Sequence, residues 1–415
     1  MSGLRGKLDL LRRTSGLGVS TPTSAPTVPS RNRGDDALLE TLGGSFVETS
    51  RGPLHVTTHR YPQPSRHGKA CLFHGRGLAT GCLTPLYDGM LDFSVERALF
   101  FDTETTGLAG GSGTYAFLVG LGYYEGEEFV TEQLLMRDHG DESALLEFFA
   151  QRLAQRSGLI SFNGKTFDAG LLTTRYAMHR RSDPISGLPH FDLLHICRRL
   201  WKESRLPDCR LETLEHRVLG APRVDDVPGW MIPEVFFSYL RDRNPKPLQG
   251  VLEHNRRDIV AMAGLCGTLS RLLSANCLES APADPHLRLG LARLWSALGQ
   301  TEVSDLFFRS ALTHTELSDQ ARETGMTRWA RCLKKRNQQE QAALLWRRVL
   351  AHSPGHLEAT VELAKWFEHH RKDYRTALLL VEGGLRDRTL TLRRRRDLEH
   401  RAQRLRSRMQ SRSAV

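Results

Sequence analysis

The rhythm of apolar and polar positions changes several times along the chain. Residues 14–37 are rich in Ser, Thr, Pro and Gly and poor in large apolar side chains. Such a stretch cannot repay its ordering entropy, so residues 1–53 are read as a disordered or linker arm. Leucines 4, 8, 10 and 11 are interrupted by charges, which makes a short amphipathic helix and no secretory signal. Residues 54–96 form a lead-in of unassigned structure, although PLHVTTHRYP alternates as a strand does.

From residue 97 the pattern sharpens. Arg97–Asp102 is a short apolar run ending in a polar loop, the mark of a buried strand. Tyr115–Tyr123 and Glu128–Met136 read as two more strands joined at the Glu125-Gly126 turn in a hairpin. Residues 141–156 carry apolar positions 145, 146, 149 and 153 on one helical face. Leu159–Phe162 is a fourth strand, followed by an Asn163-Gly164 turn and a helix from about Thr166. Further helices are predicted around 192–203, 210–219, 233–242 and 247–273. Three strands, helix, strand, helix is a mixed α/β sheet with flanking helices, placed over 97–274.

Past Pro282 only helical periodicity remains. Leu291–Trp295, Trp329–Leu333 and Leu363–Phe367 resemble one another, with Ala292, Ala330 and Ala364 spaced 38 and 34 residues apart. A small residue recurring at that period, with Pro354 where a repeat ends, predicts tetratricopeptide-like repeats over 283–385; two generic helical hairpins would give a similar pattern.

Charge adds a fifth segment. The formal charge is +11, yet eleven arginines against Asp387, Asp397 and Glu399 put +8 of it between Arg386 and Arg412. Residues 386–415 are therefore a basic tail, either a partner for polyanions or a solvated helix. Seven cysteines without a C-x-x-C pair give no zinc pattern and read as buried free thiols of a reducing compartment. No apolar run is long enough for a membrane span, so a cytoplasmic protein is expected.

The chemistry concentrates in a few acids. Residues i and i+2 of a strand share a face, so Asp102 and Glu104 project together at the end of the first strand. Adjacent carboxylates repel unless they share a proton or a cation; the bland alternative is a hydrated strand end. Asp168 begins a helix, where a carboxylate also simply favours the N-terminus. His254 and Asp258 are one helical turn apart, which equally describes a local ion pair. The Gly110-Gly111-Ser112-Gly113 loop lacks the lysine of a P-loop and the spacing of a dinucleotide fingerprint, so nucleotide-cofactor readings fall away. Trp230 is expected in the core rather than stacked on a base.

In this order the acids resemble the DEDD superfamily of ribonuclease H-like 3′–5′ exonucleases, over roughly residues 97–272. FDTETTG matches the first motif, NGKTFD the second and HNRRDI the third. The stretches GLAGGSGTYAFLVGLG, FDLLHICRRLW and RLPDCRLETLE are similar to the bacterial YprB-like subgroup. The resemblance implies that Asp102 bridges two Mg²⁺ or Mn²⁺ ions, with Glu104 and Asp258 on one and Asp168 on the other. It implies a water-activating role for His254, although its four-residue spacing to Asp258 is that of the family's tyrosine variant. Thr105, Asn163 and Lys165, beside the acids in the motifs, become candidate substrate contacts.

The implied function is two-metal hydrolysis of DNA or RNA, from single-stranded ends, with the helical repeats free for a protein partner. The competing reading is a weak or inactive nucleic-acid-binding adaptor that works through its repeats.

Overall fold

The computed structural model describes residues 33–413, apart from 108–112, 203, 205, 276 and 278. The leucines expected in an N-terminal helix and most of the glycine loop (110–112) lie outside the described residues.

Seven strands form one mixed sheet in the order β1-β2-β7-β6-β5-β8-β9. They are β1 (Ser45–Thr49), β2 (Gly52–Pro62), β5 (Ala98–Thr105), β6 (Ala116–Glu125), β7 (Glu128–Leu135), β8 (Gly158–Ser161) and β9 (His190–Asp192). The short pair β3 (Arg66–His67) and β4 (Ala70–Cys71) stands apart as a second sheet. β5 pairs antiparallel with β6 and parallel with β8, so it lies inside the sheet. Its run Ala98-Leu99-Phe100-Phe101 is wholly buried because both faces are covered.

Leu99 and Phe101 enter one core with α2 (Glu142–Leu153) and α3 (Asp168–Met178). Ala98 and Phe100 enter the other, with α4 (Leu193–Trp201) and the long α7 (Leu248–Ser274). The remaining helices of this part are α1 (Arg33–Leu42), the single turn α5 (Leu211–Leu214) and α6 (Ile232–Asp242).

Residues 33–53, expected to be part of a disordered arm, instead hold α1 and β1 and begin β2. Leu38 is fully buried, and Asp35 pairs with Arg137 at 3.1 Å. The lead-in is correspondingly structured, because β2 pairs with β7 along His55–Pro62. The sheet therefore starts well before residue 97.

The C-terminal part is all helix: α8 (Pro285–Ala297), α9 (Thr301–Leu312), α10 (Asp319–Lys335), α11 (Gln339–His352), α12 (Leu357–Trp366), α13 (Tyr374–Leu385) and α14 (Leu392–Ser413). Ala292, Ala330 and Ala364 are all fully buried, as expected of small residues where paired helices touch, and the region is consistent with repeats. The basic tail is an ordered helix over most of its length, since Leu398, Ala402 and Leu405 bury one stripe of α14 against α13.

Two other expectations are corrected. Trp230 is 76% exposed, on a short turn entering α6. Of the cysteines only 71, 197 and 266 are buried; all seven are free thiols. No helix among the described residues is long and apolar enough to cross a membrane.

Candidate active site

The end of β5 is where the sheet stops being apolar. Asp102 lies opposite Gly120 on β6, and the register slips at a bulge between Glu104 and Thr105. The bulge re-aims the strand, and pairing resumes in a shifted register at Thr105 opposite Ala116. α7 crosses this face so closely that a Cβ at Gly120 would lie 2.2 Å from Asn255 Oδ1. Glycine is needed there, and the close approach lets Asn255 Nδ2 donate to Asp102 Oδ2 at 3.0 Å. Asn255 is itself fixed, since Gln133 Nε2 donates to its Oδ1 (3.1 Å) and to the Leu252 carbonyl (2.7 Å).

The loop before α3 is set by a turn. Asn163 sits at φ 67°, a left-handed conformation that asparagine tolerates. The buried Asp192 carboxylate accepts from the amides of Asn163 (2.7 Å), Lys165 (3.2 Å) and Leu194 (3.0 Å), tying this turn to the start of α4. α3 then opens on Asp168, whose carboxylate accepts from the Thr103 hydroxyl.

Asp258 arrives from α7 and meets a buried guanidinium. Arg223 donates to Asp258, to Asp226 (3.0 Å) and to Glu215 (2.5 Å). Glu215 is fully buried in a π-helical turn (Glu215–Leu219) and also contacts His67 at 2.7 Å. His254 Nδ1 lies 3.0 Å from both oxygens of Asp226, whereas its Nε2 is 3.6 Å from Asp258 Oδ2. The second separation is too long for a hydrogen bond.

Burial raises the carboxyls of all four acids, and repulsion among them adds to it at Asp102 and Glu104. Burial, then repulsion from Asp258, Asp168 and Glu104, pushes the Asp102 carboxyl well above its usual range. Burial with Asp258, Asp168 and Asp226 does the same to Glu104. Asp168 is raised by burial against the pull of the Thr103 hydroxyl. Burial also raises Asp258, with Arg223 and His254 opposing it. For Asp226 burial loses to the Arg223 hydrogen bond and the His254 charge, and its carboxyl is lowered.

Four of the sequence-predicted acids are thus brought within electrostatic reach of one another, with His254 at their edge. The candidate substrate contacts are placed less centrally. Thr105 Oγ1 donates to the Gly107 carbonyl (2.9 Å), and the Lys165 ammonium donates to the Asp88 carbonyl (3.1 Å) at an exposed position. Arg223, Asp226, Glu215 and Thr103 also belong to the site, beyond the acids that the motifs mark. Thr103 and Asn255 stand inside the quoted motifs; Arg223 and Asp226 stand in an unpatterned loop.

The donor set fits a hard divalent cation in its chemistry: oxygen only, several carboxylates, and mutual repulsion that a cation relieves. As arranged, however, no three His, Cys, Asp or Glu side chains among the described residues form a group able to share an ion. Three of the acids have other partners instead: Arg223 engages Asp258, Thr103 engages Asp168 and Asn255 engages Asp102.

Comparison with known proteins agrees with the sheet. An RNase H superfamily profile matches residues 99–270. The Bacillus subtilis (strain 168) protein named Uncharacterized protein YprB is 32% identical over 300 residues, covering 71% of this chain and 70% of that protein. A solved structure, the family B DNA polymerase of the hyperthermophilic archaeon Pyrobaculum calidifontis, aligns with 58% of this chain and 30% of its own, at 14% identity and a TM-score of 0.34. That likeness is too slight to carry weight. Members of the RNase H superfamily are usually nucleases, typically dependent on divalent metals. The chain belongs to the YprB family and carries a ribonuclease H-like domain built on the sheet around β5.

Proposed function

We propose that this protein is a metal-dependent DEDD-type 3′–5′ exonuclease acting on single-stranded ends of DNA or RNA. The observation that carries this reading is the crowding of Asp102, Glu104, Asp168 and Asp258 at the end of β5, each carboxyl held above its normal range. Two Mg²⁺ or Mn²⁺ ions on these oxygens would supply Lewis-acid stabilisation and an acidified water.

The chain's own residues do the rest. Asp226 accepts from His254 Nδ1–H, which leaves the Nε2 lone pair free to take a proton from water. Asn255 orients Asp102, and Thr103 orients Asp168. Thr105, Asn163 and Lys165 rim the approach as substrate contacts. The paired C-terminal helices, read as tetratricopeptide-like, leave a surface for a protein partner.

A second reading has its own support. Arg223 on Asp258 and the hydroxyl on Asp168 occupy ligand oxygens, as they would in a nucleic-acid-binding adaptor of weak or no activity. Incubating an end-labelled single-stranded oligonucleotide with wild type and Asp102→Ala, in Mn²⁺ or Mg²⁺, separates the two. Stepwise shortening by wild type, at least about a thousandfold slower in the variant, is the expected result. Equal degradation by both proteins, or none by wild type, defeats the nuclease reading.

A further inference from the structure

α14 carries nine arginines and no lysine against Asp397 and Glu399. Its apolar stripe faces α13, which leaves a groove of about 790 Å³ between α14 and α12. Arg394, Arg401, Arg404 and Lys365 line it, with His356 and His400. Two carboxylates also line it, of which Glu358 is already paired to Arg331 on α10 and Asp397 tempers the charge.

Two of the arginines are pre-ordered. Beneath the groove the fully buried Glu368 takes Arg401 (2.6 Å) and Arg404 (3.0 Å), with Arg408 at 3.4 Å. One carboxylate cannot neutralise three guanidiniums. Each guanidinium has five N–H donors, and Arg401 spends one of them here. The groove therefore offers fixed cations with unspent donors, which lowers the ordering cost of binding an anion.

We propose that this groove binds the phosphodiester backbone of single-stranded nucleic acid. Arg394 to Arg404 spans about 15 Å along the helix, enough for several consecutive phosphates. Guanidinium forks match phosphate oxygens, and arginine alone was used on this helix. Leu357, Val361 and Leu398 supply the apolar part of the lining, on which a base can lie beside its phosphate, and an acidic peptide is the alternative that competition with polyglutamate tests. The choice of nucleic acid over other polyanions rests on the nuclease reading of the acidic centre. The groove would hold the strand at a place remote in sequence from the residues that cut it.

The test is fluorescence anisotropy of a labelled oligothymidylate with the full-length protein in EDTA, so that no cleavage is required. Arg394 is exposed and the Arg394→Glu substitution touches no core contact. It should weaken binding by about fivefold to tenfold and lower the salt slope by about 1. Arg348→Glu, the same charge change at an exposed position on α11 outside the groove, should stay within about twofold of wild type. Unchanged binding by Arg394→Glu, or equal weakening by Arg348→Glu, overturns the groove. Displacement of the oligonucleotide by polyglutamate at lower charge concentration than by unlabelled oligothymidylate overturns it in favour of an acidic protein. Because cleavage by wild type is scored separately, loss of the nuclease reading and loss of the groove give different results.

Discussion

The acidic centre of the sheet and the C-terminal helices solve opposite charge problems with the same device. In the first, one buried guanidinium, Arg223, is shared by Glu215, Asp226 and Asp258 while Asp102 and Glu104 crowd beside them. In the second, one buried carboxylate, Glu368, is shared by Arg401, Arg404 and Arg408. Each region keeps its fold by placing a single opposite charge inside a like-charged group, and each is left with an excess. The difference lies in the sign of that excess, a carboxylate surplus at the end of β5 and a guanidinium surplus along α14. A hard cation complements the first and a chain of phosphates the second.

The largest effects should come from removing the shared charges. Arg223→Ala strands buried carboxylates and should cost about 3–5 kcal/mol of stability by chemical denaturation, whereas Glu368→Ala frees partly exposed guanidiniums that can turn to water and should cost less. Mn²⁺ should restore stability to the Arg223 variant alone, and an oligonucleotide to the Glu368 variant alone. A variant as stable as wild type, or ligands that act on both without distinction, would show that the two shared charges do not play matching parts.

A smaller effect belongs to the sheet and depends on pH. His190 on β9 bonds Ser161 on β8 and is buried, which lowers its pKa from 6.5 to about 4. The folded state prefers the neutral ring, so its contribution is present above 6.5 and is lost as pH falls toward 4. That loss is on the order of 3 kcal/mol at its acid end. Chemical denaturation between these pH values should show stability falling more steeply toward acid in wild type than in His190→Asn, a difference that cancels the shared effect of the raised carboxyls. Equal slopes in the two proteins would contradict the role of His190.

What was legible in the sequence follows the strength of local pattern. β5, β6, β7 and the flanking helices announced themselves because buried strands are continuously apolar and α2 keeps one apolar face. β1 and α1 did not, since their burial comes from partners far along the chain, such as Arg137 for Asp35. β9 is three residues long and carries no period. The order of the tail was masked by its arginines, although Leu398, Ala402 and Leu405 trace its buried stripe. Asp102 and Glu104 were readable as a strand pair, whereas Arg223 and Asp226 sit in a loop whose geometry no spacing reveals. Trp230 misled because size alone suggested burial.

Calorimetric titration with Mn²⁺ decides whether the end of β5 is a divalent-cation site. Wild type should bind two ions per chain with proton release, because raised carboxyls must give up protons to ligate, while Asp102→Ala should lose that binding. Absence of binding in wild type, or the same isotherm in the variant, would rule out a cation site at the end of β5.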